Sequence, residues 1–138
     1  MTSFNKLSDE QVAQYHRDGY LVIEGFLPTT GSQSVEELRA TINKVIENLD
    51  FTESETIFST TEDKHAADDY FLASGDKIRF FWEERARKNG QLTCAPELAI
   101  NKIGHNLHDL VPEFEAVSYD TRVATICKQL GMAVPLCV

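Results

Sequence analysis

Apolar residues fall along the chain in short runs whose period changes, and each change marks a predicted element. The first run is helical. Val12, Tyr15 and His16 share one face at spacings that suit 3.6 residues per turn. Ser8 precedes the run with Gln11 three residues on, the arrangement of a capping box, and Leu7 and Val12 occupy the positions of a hydrophobic staple. Asp9 and Glu10 suit the positive end of the helix dipole, and Gly19 is the expected stop. Tyr20 to Phe26, "YLVIEGF", is a β-branched apolar run that predicts a buried strand. Pro28 and Gly31 break the pattern. Ser34 and Glu37 then predict a second capping box, followed by a helix with Val35, Leu38, Ile42, Val45, Ile46 and Leu49 on its apolar face.

From Asp50 to Asp69 the chain is polar and acidic, which predicts an irregular surface loop. "KIRFFWEE", Lys77 to Glu84, predicts a strand, and Asn89-Gly90 a turn. After Pro96, "ELAINKIGHNLH" fits either a strand or a helix. Pro112 can open a short helix through Glu113, Phe114 and Val117. A further helix is expected from Asp120 to Leu130, with Val123, Ile126 and Leu130 inward and Gly131 as its stop. "MAVPLCV" predicts a final apolar strand. The sum is an α+β chain.

Composition narrows the function classes. A chain of 138 residues predicts one domain, spanning 1–138. Its net charge of −9 is the wrong sign for a duplex-binding module, so no nucleic-acid partner is expected. No run of eighteen apolar residues predicts a transmembrane helix, and "MTSFNKLSDEQ" lacks the apolar centre of a secretory signal. Cys94, Cys127 and Cys137 are odd in number and form no C-x-x-C pair, which fits reduced thiols in the cytoplasm.

Few residues then carry candidate chemistry. His105 and His108 are three apart and on a helix could share a metal, or could simply flank Leu107. His65, Asp68 and Asp69 form a looser cluster, read as a solvated charge run. Asp9-Glu10, Glu36-Glu37 and Glu83-Glu84 read as helix-start and surface carboxylates rather than as an acid/base pair. Lys102 differs in kind because it lies between Ile100 and Ile103. It is either a snorkelling surface lysine or an inward ammonium that needs an anion, since an unpaired buried charge is costly. A carboxylate-bearing ligand is one such anion.

Three segments, "QYHRDGYLVIEGFL", "DYFLASGDKIRFFWEE" and "INKIGHNLHDLVPEF", resemble in order and spacing the phytanoyl-CoA dioxygenase family. The resemblance implies a double-stranded β-helix (jelly-roll) oxygenase that uses Fe(II) and 2-oxoglutarate to hydroxylate a C–H bond. It implies iron held by two histidines and a carboxylate. The first two of these ligands would lie in an H-x-D motif, with the remaining His and an Arg much later in the chain. It also implies that Lys102, in the N-K-I-G-H segment, contributes to 2-oxoglutarate binding.

The H-x-D iron motif is expected to be absent from this chain, because in the family it falls after the strand that here holds Val134 to Val138. The expectation is therefore the N-terminal helical and strand portion of such a domain. It would have no catalytic residues and no metal ligands, and Lys102 would be its one cofactor-binding residue. Fe(II) and 2-oxoglutarate would serve the full-length protein and bind poorly to this chain alone. The substrate would be a small molecule, acyl-CoA or another hydrophobic compound, and the compartment cytoplasmic, with peroxisomal import left open. The alternative is a natural truncated, non-catalytic form acting as an interaction or regulatory protein. In either case "KIRFFWEE" is expected to build an outer strand, its aromatics alternating between core and cavity.

Overall fold

The computed structural model describes residues 6–58, 69–89 and 91–137. Among these residues seven helices and four strands follow one another as α1 (Asp9–Asp18), α2 (Val35–Glu47), α3 (Asp69–Leu72), β1 (Arg79–Trp82), β2 (Arg87–Lys88), β3 (Gln91–Leu92), α4 (Pro96–Ala99), β4 (Ile100–Gly104), α5 (Leu107–Leu110), α6 (Pro112–Ser118) and α7 (Thr121–Gln129).

The helix signals are answered locally. The Ser8 side chain accepts from the Gln11 amide while the Gln11 side chain accepts from the Ser8 amide, so both halves of the α1 capping box form. Leu7 is buried. Gly19 sits at φ 80° and donates to the Tyr15 carbonyl, closing the helix in the left-handed region where a Cβ is penalised. In α2 half of the expected box appears: Ser34 accepts from the Glu37 amide, but its own amide donates to the Gly31 carbonyl. The apolar face of α2 is half-buried. It lines an open groove of about 480 Å³ with Ile103 and Leu107 instead of packing tightly against them. Asp120 caps α7 by accepting from the Arg122 amide, and Arg122 donates to the Phe26 carbonyl. Gln129, at the far end of α7, exchanges two hydrogen bonds with the Leu7 backbone. The last helix thus ties down the first residues of the described chain.

The centre of the molecule is β1. It pairs antiparallel with β4, with Phe80 opposite Ile103 and Phe81 opposite Lys102, and a bulge between Phe81 and Trp82. On its other edge Trp82 donates to the Thr56 carbonyl and accepts from the Phe58 amide. Phe80, Phe81 and Trp82 are all fully buried, so both faces of the strand are covered. Phe80 and Trp82 form one cluster with Ala86 and Ala99, flanked by Leu49, Phe51, Leu92 and Ile100. Phe81 points the other way, toward Phe58, Tyr70, Phe71 and His105. The aromatics alternate as expected of "KIRFFWEE", but β1 has backbone partners on both edges and so is not the outer strand expected.

Three further expectations fail. Tyr20 to Phe26 forms no strand: Leu21 and Ile23 are half-buried and Tyr20 and Val22 exposed, Glu24 and Gly25 make a turn with Gly25 at φ 66°, and no ladder partner lies beside them among the described residues. The alternation of a strand is present without the hydrogen bonds that define one. Residues 132–137 likewise form no strand, and Val134 and Leu136 are among the most exposed apolar residues. The acidic stretch is not uniformly irregular. Phe51 packs on Phe80 and Trp82, Ile57 bridges Trp82, and Asp69 opens α3; residues 59–68 lie outside the described residues. Asn89 adopts the positive φ expected of its turn, between β2 and β3, while Gly90 lies outside the described residues.

Candidate functional site: a half-buried lysine in an aromatic wall

The ambiguous segment after Pro96 resolves into two short elements, the single turn α4 and then the strand β4. Because Lys102 lies opposite Phe81 in the register, it shares the aromatic face of β1. Its side chain is half-buried. The ammonium sits 4.9 Å from the centre of the Phe58 ring and 5.3 Å from that of Phe71, within cation–π range. Its Nζ lies 3.0 Å from Nε2 of His105. No carboxylate comes within ion-pair distance of Nζ among the described residues. Of the two readings open in the sequence, the inward ammonium is the one observed.

Behind Lys102 stands a second layer. Nδ1 of His105 lies 2.8 Å from Oγ of Ser74, a fully buried hydroxyl that also donates to the Phe71 carbonyl. The His105 amide donates to the Lys77 carbonyl at 2.8 Å. Burial and the neighbouring Lys102 charge, in that order, hold the His105 imidazole below its ordinary pKa and favour its neutral form, against a smaller opposing effect from the Ser74 backbone. Gly104 completes the arrangement: a Cβ there would stand 3.2 Å from Cε of Lys102. The bare glycine therefore leaves the path along which the lysine stem folds back toward His105. In the sequence His105 reads as a metal ligand or as a polar residue flanking Leu107, and neither reading joins it to Ser74. The hydrogen-bonded line from Ser74 through His105 to Lys102 spans residues 31 apart, a separation that no local motif displays.

The proposed histidine pair does not form. His105 follows the end of β4, and His108 sits on α5, where its ring faces Tyr119 and its Nε2 lies 4.0 Å from Asp109. His65 and Asp68 lie outside the described residues. The expected absence of an H-x-D sequence does not hold, since His16-Arg17-Asp18 has that spacing. It occupies the exposed last turn of α1, where Asp18 takes two hydrogen bonds from Arg17 and the His16 ring meets the Tyr15 ring edge-on. No group of three His, Cys, Asp or Glu side chains that could hold a metal occurs among the described residues. The described residues therefore do not fit an iron centre, whereas the Lys102 ammonium does fit a carboxylate.

The described residues thus form a mixed fold of helices and small antiparallel sheets, with an ammonium at β4 that meets no carboxylate among them. Residues 15–136 match the family model of phytanoyl-CoA dioxygenase (PhyH), and the chain belongs to that family. It is 42% identical over 127 residues to the phytanoyl-CoA dioxygenase domain-containing protein 1 homolog of Dictyostelium discoideum, covering 92% of this chain and 44% of that protein. The Caenorhabditis elegans homolog is 43% identical over 125 residues, covering 88% of this chain and 42% of the relative. Phytanoyl-CoA dioxygenase domain-containing protein 1 of Bos taurus is 38% identical over 138 residues, covering 96% of this chain and 46% of that protein. The chain thus spans less than half the length of these curated relatives. No helix among the described residues is long and apolar enough to cross a membrane.

Proposed function

We propose that this chain is the N-terminal portion of an Fe(II)/2-oxoglutarate-dependent dioxygenase and that Lys102 holds a carboxylate of 2-oxoglutarate. One observation supports the ligand reading above the others. The Lys102 ammonium is half-buried between two phenyl rings and an imidazole nitrogen, with no anionic partner among the described residues. These neighbours orient the charge without neutralising it, and a carboxylate would do both. When bound with iron, 2-oxoglutarate supplies the reducing equivalents for oxygen activation. The chain's own residues contribute a fixed positive charge, an aromatic wall that limits water around it, and a buried hydroxyl–imidazole support.

The same reading makes a polypeptide of these 138 residues incompetent for turnover. Its one H-x-D sequence lies on an exposed helix end, away from Lys102 in the order of elements. A single charge-assisted contact is worth roughly 1.5–3 kcal/mol, so binding of 2-oxoglutarate in the millimolar range or weaker is expected. NMR titration with 2-oxoglutarate tests this. Shifts centred on β4 and Phe71 that vanish in Lys102→Met support the reading. Equal shifts in the variant, or shifts confined to other surfaces, overturn it.

A further inference from the structure

We propose that His105 is a positioning residue for the Lys102 ammonium, held by Ser74 in the one tautomer able to accept its proton. The inference rests on the reading of Lys102 given above and deepens it. The logic is one of proton count. A serine hydroxyl has a single hydrogen, and that of Ser74 is directed at the Phe71 carbonyl. Toward Nδ1 of His105, 2.8 Å away, Ser74 can then only accept, so Nδ1 carries the proton. A neutral imidazole protonated at Nδ1 has its lone pair at Nε2. That lone pair lies 3.0 Å from the Lys102 ammonium. The opposite tautomer would set an N–H against the charge.

The ring cannot easily turn away. It stands edge-on to Phe71 at 5.4 Å and to Phe81 at 6.2 Å. The backbone behind it is fixed through Lys77, and Gly104 leaves room for the lysine stem. The choice of a neutral acceptor has a chemical consequence. A carboxylate in the place of His105 would hold Lys102 equally well but would cancel its charge and with it the attraction for an anion. Imidazole fixes one of the three ammonium protons, leaves two for a ligand, and preserves the charge.

The ¹⁵N imidazole spectrum of the 138-residue chain at neutral pH tests the tautomer without any ligand. A protonated Nδ1 with a bare Nε2 is the expected result; the reverse tautomer or an imidazolium overturns the proposal. NMR titration with 2-oxoglutarate then compares three variants, each checked for fold by circular dichroism. His105→Gln keeps an acceptor near the Nε2 position and should bind like the unaltered chain. His105→Phe keeps the ring packing and loses the acceptor, and should bind about threefold to tenfold more weakly, the range for one hydrogen bond. His105→Glu should abolish binding. Binding by the Phe or Glu variant as tight as that of the unaltered chain overturns the proposal. If the unaltered chain shows no 2-oxoglutarate binding, the Lys102 ligand reading fails, and the tautomer spectrum alone decides the positioning role.

Discussion

At the scale of single residues, His105 carries a pH dependence whose sign follows from its surroundings. Burial and the Lys102 charge lower its pKa in the fold from the ordinary 6.5. The unfolded chain therefore binds a proton at a higher pH than the folded chain does. The stabilisation from a neutral His105 is complete above about pH 6.5 and is lost as the pH falls through that value toward the folded pKa. Chemical denaturation from pH 8 to pH 5 should show the unaltered chain losing more stability than His105→Gln, and parallel curves would contradict this. Gly104→Ala is expected to perturb the site more than the fold. The new Cβ meets the flexible Lys102 stem, and Gly104 does not need a positive φ. The measurable result is a displaced Lys102 signal with a denaturation midpoint close to that of the unaltered chain. Only part of this was legible in the sequence. A lysine between Ile100 and Ile103 could be singled out because charge amid apolar residues is unusual. Ser74 and His105 could not be joined to it, since their contact depends on how α3 and β4 meet.

At the scale of elements, the local signals prove reliable where the backbone satisfies itself. Ser8, Gln11 and Gly19 fix both ends of α1 through bonds no more than four residues long. Ser8→Ala should therefore cost about 1 kcal/mol, the usual value for a lost N-cap, read as a lower denaturant midpoint at unchanged slope. Trp82→Ala should cost far more, about 3–5 kcal/mol as for other large-to-small core changes. Trp82 is fully buried, stacks near Phe51 and Phe80, and donates from its indole to the Ser54 carbonyl. A cooperative unfolding transition shifted by less than 1 kcal/mol would contradict that placement. The failures fall where an element depends on a distant partner. Tyr20 to Phe26 and residues 132–137 have strand-like composition, yet a strand exists only when another backbone lies beside it. Conversely, Thr56 and Phe58 hide inside an acidic stretch and are recruited by Trp82 through backbone bonds that their side chains do not announce.

At the scale of the whole molecule, family membership and site geometry pull apart, and iron is where the difference can be measured. The family's chemistry needs two imidazoles and a carboxylate converging on one metal face, with positions left open for 2-oxoglutarate and oxygen. In this chain the described histidines are dispersed: His16 on the exposed end of α1, His105 bound to Ser74 and Lys102, and His108 beside Tyr119 on α5. Recruiting His105 to iron at Nε2 would take away the acceptor that orients Lys102, so one residue cannot serve both roles. The purified 138-residue chain, supplied anaerobically with Fe(II), should therefore bind less than stoichiometric iron, and on admission of oxygen it should form no succinate from 2-oxoglutarate. A polypeptide extended to the length of the curated relatives should bind stoichiometric iron and form succinate, and there Lys102→Ala should raise the 2-oxoglutarate concentration required for turnover. His105→Phe should act in the same direction while leaving iron content unchanged, because its role is to orient the lysine. Succinate formation by the short chain above a metal-free control would show that a ligand set does assemble. His105→Phe and His108→Phe would then be the first variants to assay for lost iron.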